Sequence, residues 1–242
     1  FKIMCIINHD VYLCITRKND FTNESIDCLN RVIITNNINL FISTTNDIYN
    51  EISTLINQEK IKIILNKRRF NTLFDHMLFL TNISKARYIS FIHDDDLFDQ
   101  KFLINSFNYL CKFQPIALST RCKYIDKFSQ NAYRRNYKPE KKIISLSKNR
   151  ILSRYFLPFE RTVDTPTIIY DRLSLISYGK KYRLRNLPIF EDARIVFYFA
   201  SKGNFLENQD SNLYSWRISD FNMSNTRKQT DRLRLIAWMN NL

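Results

Sequence analysis

Short apolar runs alternate with amphipathic ones over the first hundred residues, and this alternation restricts the fold more than any other feature of the chain. VYLCIT (11–16), NLFIST (39–44), KIKIIL (60–65) and RYISFI (87–92) have strand length and strand composition. Between them lie NESIDCLNRVII (23–34), NEISTLINQ (50–58) and TLFDHMLFLTNI (72–83). In the first of these, Ile26, Leu29, Val32 and Ile33 share one stripe at helical spacing. The pattern predicts βαβ units around a mixed, mostly parallel sheet flanked by helices, with right-handed crossovers. In such sheets ligands bind beyond the carboxyl ends of the strands.

The fourth apolar run ends in HDDD, residues 93–96. Three adjacent carboxylates repel one another and are costly to bury without partners. In extended geometry Asp94 and Asp96 would point to one side and Asp95 to the other. Such a group suits a hard cation, Mn²⁺ or Mg²⁺, which takes one or two protein carboxylates and completes its shell with substrate oxygens. The plain alternative is a solvated turn that caps a helix over LFDQKFLINSF (97–107).

Glycine then excludes several nucleotide sites. The chain has only two, Gly179 and Gly203, so neither a dinucleotide fingerprint nor a P-loop exists. A bound nucleotide would need a metal ion and basic side chains at its phosphates. Formal net charge is +14, which predicts an anionic partner: a phosphorylated substrate, a membrane surface or nucleic acid. The five cysteines include no C-x-x-C pair and read as reduced core residues of a cytoplasmic protein. His9, His76 and His93 form no zinc pattern. Phe1 opens the sequence, and Lys2, His9 and Asp10 do not fit a signal peptide.

Six segments resemble the inverting GT-A glycosyltransferases of family 2. HDDD resembles that family's D-x-D motif. VYLCITRKN (11–19) stands where the family has its first strand and nucleotide loop, and LFISTTND (40–47) where a second strand ends at the base. PTIIYDR (166–172) resembles an acceptor-side segment, and FEDARIVFYFASKG (190–203) the E-D motif on a helix ending at glycine. SWRISDFNMS (215–224) resembles the closing aromatic-Arg segment. There are departures: Thr16-Arg17-Lys18 replaces a Pro-Thr-Tyr pattern, and Thr45-Asn46-Asp47 replaces two adjacent acids.

The resemblance implies a single GT-A (Rossmann-like) domain over 1–224, with about 1–110 as the nucleotide-sugar half and 111–224 as the acceptor half. It implies metal ligation by Asp94, Asp95 and Asp96. Donor contacts would come from Thr16, Arg17, Lys18, Thr45, Asp47, Arg69, Asn71, Asp94, Asp95 and Arg217. Asp192 would be the general base, and Glu191 would orient the acceptor or share the proton; by themselves these two acids could equally be favouring the first turn of a helix over 191–202. The implied donor is a nucleoside diphosphate sugar, and the acceptor a glycan or glycolipid of bacterial surface polysaccharide synthesis. A metal-dependent nucleotidyltransferase and a basic RNA-binding protein are the rivals, although no RNP or KH motif supports the latter. Residues 225–242 carry Arg227, Lys228, Arg232 and Arg234 before Leu235, Trp238, Met239 and Leu242 on one helical face. This predicts a basic amphipathic helix that either packs on the core or lies peripherally on anionic lipid at the inner face of a membrane.

Overall fold

The computed structural model describes residues 7–33, 37–132, 142–156, 162–182 and 191–218. The chain opens with β1 (His9–Cys14), α1 (Thr22–Asn30), β2 (Ile38–Thr45), α2 (Asn46–Ile52), β3 (Ile61–Asn66), α3 (Leu73–Ile83) and β4 (Tyr88–His93). These are the elements the alternation predicts, each shifted by a few residues at its ends. The structure differs after β4, where Leu97–Phe98 is a short strand, β5. The helix begins only at α4 (Gln100–Phe113), and its cap is Asp99, whose side chain accepts from the Lys101 N–H.

The later elements are β6 (Ala117–Thr120), β7 (Lys123–Ile125), β8 (Ile143–Ser145), α5 (Lys148–Phe156), β9 (Ile169–Asp171), α6 (Arg172–Tyr182), α7 (Glu191–Lys202), β10 (Phe205–Asn208) and β11 (Tyr214–Arg217). The main sheet has eight strands in the order β3-β2-β1-β4-β9-β6-β10-β8, with β9 and β8 antiparallel to their neighbours. A smaller sheet orders as β5-β11-β7.

Strand alternation divides the core between the two faces of the main sheet. Val11, Leu13, Ile42 and Ile92 pack with α1, α2 and the first turns of α4. Tyr12, Phe91, Ala117 and Tyr170 pack with α3, α6 and α7. The helix α7 is buried through almost its whole length, including Arg194. Where α6 crosses α3, a Cβ on Gly179 would sit 2.6 Å from Leu78 Cδ2, so the missing side chain permits this close approach.

The far side of the sheet is pinned by a buried ion pair. Glu207 on β10 accepts from Arg154 Nη1 at 2.6 Å and Nη2 at 2.9 Å, and from Arg121 Nε at 3.2 Å. Burial alone would push this carboxyl up; the Arg154 hydrogen bonds and the two guanidinium charges outweigh it and hold the carboxyl below its ordinary value. The bidentate pair fixes α5 against β10. Among the described residues, no helix is long and apolar enough to cross a membrane. The stretch 225–242 and the part of 215–224 beyond residue 218 lie outside the described residues.

Replacing Arg154 with Met leaves the Glu207 charge buried without its bidentate partner. The expected loss is about 3 kcal/mol at neutral pH. Because the Glu207 carboxyl is depressed in the fold, the difference between variant and native protein shrinks as pH falls through its titration. Urea unfolding at pH 7 and pH 4 measures both; an unchanged midpoint at pH 7 would contradict the assignment.

Candidate active site

The strand order reverses between β1 and β4, and the chain leaves each strand at the carboxyl edge in opposite directions there. Residues 15–20 after β1 and 93–96 after β4 flank this crevice. The loop after β2 and the loop after β3 lie beside it on the same edge, because all four strands run parallel. The helix α7 leads into β10, which runs in the same direction as β6, and so its first turn also falls at this edge.

The three aspartates occupy three environments. Strand β4 stops at His93, and Asp94 and Asp95 form a turn, so the alternation expected of an extended chain does not hold. His93, Asp95 and Asp96 each offer a ligand atom within 4.8 Å of the others. Asp94 faces the β1 loop instead. Burial, and then the Asp95 charge, push its carboxyl up to about 7 against the opposing effects of Arg17 and Asn19. Its Oδ2 is buried with no hydrogen-bond partner.

Asp96 is fully buried and points inward. It accepts from the Tyr214 hydroxyl at 2.9 Å and from the Arg217 main-chain N–H at 2.9 Å, and His93 Nδ1 lies 3.7 Å away. Burial, reinforced by the Asp95 charge, drives this carboxyl well above its usual range. Desolvation lowers His93, with Asp95 opposing it. Two carboxylates and one imidazole could hold Mn²⁺, or Mg²⁺ through the carboxylates alone, and a cation there would offset the cost of gathering acids.

Arg217 differs from expectation. As a donor contact its guanidinium would have to face the crevice; the side chain is instead fully buried. Its Nε donates to the Asp95 carbonyl at 2.8 Å, Nη1 to the Asp126 carbonyl at 3.1 Å, and Nη2 to Glu24 at 2.8 Å. Its guanidinium carbon lies 4.0 Å from the centre of the Phe21 ring. Arg217 holds the acidic turn, and its guanidinium is committed to these partners in this structure.

The structure brings Thr45, Asp47 and Arg69 together: the Thr45 hydroxyl donates to Asp47, and Arg69 Nη2 donates to Asp47 at 3.0 Å. The Thr45 hydrogen bond, followed by that of Arg69, lowers the Asp47 carboxyl. Arg17, Lys18 and Asn71 are exposed on the neighbouring loops, Thr16 is half-buried, and Lys18 Nζ lies 3.7 Å from Glu51.

Beneath the loop after β3 lies a polar group that sequence reading missed. The Ser43 Oγ and His76 Nε2 atoms are 2.7 Å apart, and Asn66 Nδ2 donates to Ser43 Oγ at 3.0 Å. Phe70 stacks on His76 with ring centres 4.4 Å apart. Burial lowers His76 to about 4, so it is neutral and braces the ends of β2 and β3.

On α7, Glu191 is held at both oxygens. The Tyr178 hydroxyl donates to Oε1, and Arg194 Nη1 donates to Oε2 at 3.0 Å. Burial raises the Glu191 carboxyl despite those two partners, and the charges of Asp192 and Asp75 add to the rise. Asp192 is half-buried, and its charge is felt by the Tyr170 hydroxyl. Arg194 was legible as an i, i+3 partner of Glu191; Tyr178, on another helix, was not.

No protein-family model matches the sequence, and no curated protein does. Solved structures do. S. aureus TarS, residues 1–349, in complex with UDP-GlcNAc superposes with a TM-score of 0.68 at 12% identity, covering 96% of this chain and 66% of that one. The complex of the same fragment with UDP gives 0.62 at 12% identity, over 88% and 61%. TarS itself gives 0.64 at 13%, over 88% and 37%. The fold is GT-A. The chain spans about two thirds or less of each of these structures, and at such identity the likeness speaks for the fold alone.

Asp94 gives a pH test. A carboxyl raised in the fold binds more protons folded than unfolded, so its contribution falls as pH rises from 3.8 to about 7. Asp94→Asn therefore gains thermal stability over the native protein at pH 8 relative to pH 5, without added metal. An equal difference at the two pH values would contradict the assignment.

Proposed function

We propose that this chain is a glycosyltransferase that moves a sugar from a nucleoside diphosphate sugar to a hydroxyl group of a glycan or glycolipid. The observation that carries this reading is the acidic turn at the topological switch point, with His93, Asp95 and Asp96 gathered and the Oδ2 atom of half-buried Asp94 enclosed without a hydrogen-bond partner. It occurs on a fold whose solved examples, TarS bound to UDP-GlcNAc and to UDP, hold a nucleotide sugar and its nucleotide.

A divalent ion held by His93, Asp95 and Asp96 would supply Lewis-acid stabilisation of the leaving diphosphate. The remaining steps belong to the chain. Asp94, half-buried beside the β1 loop, accepts from a ribose hydroxyl in the crevice. Arg17, Lys18 and Arg69 provide positive charge at the ends of β1 and β3, in place of the absent Gly-rich loop. Thr45 and Asp47 line the base side. Because both Glu191 oxygens are engaged, Glu191 orients the site, and Asp192 takes the proton from the attacking hydroxyl. A base on the face opposite the leaving group gives inversion. The cytoplasmic side of bacterial surface polysaccharide synthesis is the setting that this chemistry and the net charge of +14 suit.

Asp192→Asn should lower kcat by about 100- to 10,000-fold while leaving donor affinity unchanged. A screen of common nucleoside diphosphate sugars with Mn²⁺, read as nucleotide release, measures this. No release from any donor by native protein would overturn the reading, and a larger kcat loss in Glu191→Gln would exchange the two roles.

A further inference from the structure

A second cleft opens on the other face of the sheet, between α4 and the segment that follows β10. It has a volume of about 250 Å³ and is lined by Asn105, Asn108, Tyr109, Asn208 and Asp210. Asn105, Asn108 and Tyr109 lie about 8–14 Å along α4 from its start. The helix packs on the face that carries Val11 and Leu13, whereas α7 packs on the opposite face. The cleft is therefore separate from the Glu191–Asp192 side of the candidate active site.

Its chemistry is selective. The chain has 37 lysines and arginines, yet among the described residues none lines this cleft. A phosphate or nucleotide would find no counter-charge here. No aliphatic side chain lines it either, so an acyl chain would gain little. It offers three carboxamides, a phenol and a carboxylate.

Asn208 is only 1% exposed, and its Oδ1 accepts from the Asp210 N–H at 3.2 Å. That bond fixes the amide plane, and no partner for its Nδ2 is found among the described residues. The side chains of Asn105 and Asn108 and the Tyr109 hydroxyl likewise have no hydrogen-bond partner there. A carboxamide presents a donor and an acceptor side by side, which matches the alternating donor and acceptor sites of adjacent sugar hydroxyls. The tyrosine adds an aromatic ring on whose face the C–H groups of a pyranose can pack. The volume falls below that of a site for a drug-sized ligand and fits one ring.

We infer that this cleft is an accessory subsite for one residue of a neutral glycan. It is not part of the donor site, and its assignment stands whether or not the chain transfers sugar. On a glycosyltransferase it would anchor a polymeric acceptor on the flank of the enzyme, so that successive hydroxyls return to the same active site.

The test uses the full chain and three probes: linear trisaccharides of glucose, of galactose and of N-acetylglucosamine. Saturation-transfer difference NMR is titrated for the native protein and for Asn105→Ala/Asn108→Ala, a pair of exposed-side substitutions favourable to helix. At least one trisaccharide is expected to bind with a Kd of about 1–10 mM, typical of a small polar contact. Saturating UDP with Mn²⁺ should leave that binding in place, and the double variant should weaken it by at least about tenfold. Thermal stabilisation by UDP with Mn²⁺, measured on the same variant, reports the donor site separately. Absence of binding by all three sugars at about 20 mM, equal binding by the variant, or complete competition by UDP would each overturn the inference.

Discussion

The contact between Arg217 and the acidic turn is the one on which the site depends. A chain that ends a buried strand in three aspartates must stop them from driving the loop into solvent. Arg217 does this with its backbone as well as its side chain. The main-chain N–H binds Asp96, the guanidinium binds the Asp95 carbonyl, and its remaining donors reach Glu24 and the 126–129 turn. One residue of β11 thus ties the start of α1, the end of β4 and the loop after β7 into a rigid floor. A charged group buried with this many partners avoids the desolvation penalty that an unpaired one would carry.

With that floor in place, three chemically identical residues acquire different tasks. Asp96, fully buried, accepts from Tyr214 and Arg217 and still lies with His93 and Asp95 in the candidate metal cluster. Asp94 turns to the β1 loop and keeps an unsatisfied oxygen. The differences come from burial and partners and not from residue type, which is how a fold divides labour among like groups. The same logic operates on α7, where Tyr178 and Arg194 restrain Glu191 while its neighbour Asp192 is held differently.

The sheet and its helices were legible in the sequence because both faces are buried. Strands such as Tyr88–His93 read as mostly apolar runs, and the helices between them carry the complementary stripe. The position of HDDD at a carboxyl edge followed directly. The orientation of each aspartate did not, because Asp94 and Asp95 enter a turn and the two-residue alternation stops at His93. The role of Arg217 was hidden for a related reason. Its partners Asp96, Asp126 and Glu24 are separated from it by about a hundred residues or more, and no local pattern encodes such contacts. The Ser43–Asn66–His76 group joins three elements and was missed likewise, while Thr45, Asp47 and Arg69, placed on adjacent strand ends, met as their positions suggested.

The central claim is that the acidic turn binds a nucleotide through a divalent cation. Calorimetric titration of UDP into the protein, with Mn²⁺ and then with EDTA, and into Asp95→Asn under both conditions, tests it most directly. The account predicts UDP affinity at least about tenfold higher with Mn²⁺ for the native protein, and loss of that difference in Asp95→Asn. Equal UDP affinity with and without metal, or an undiminished metal effect in the variant, would contradict it.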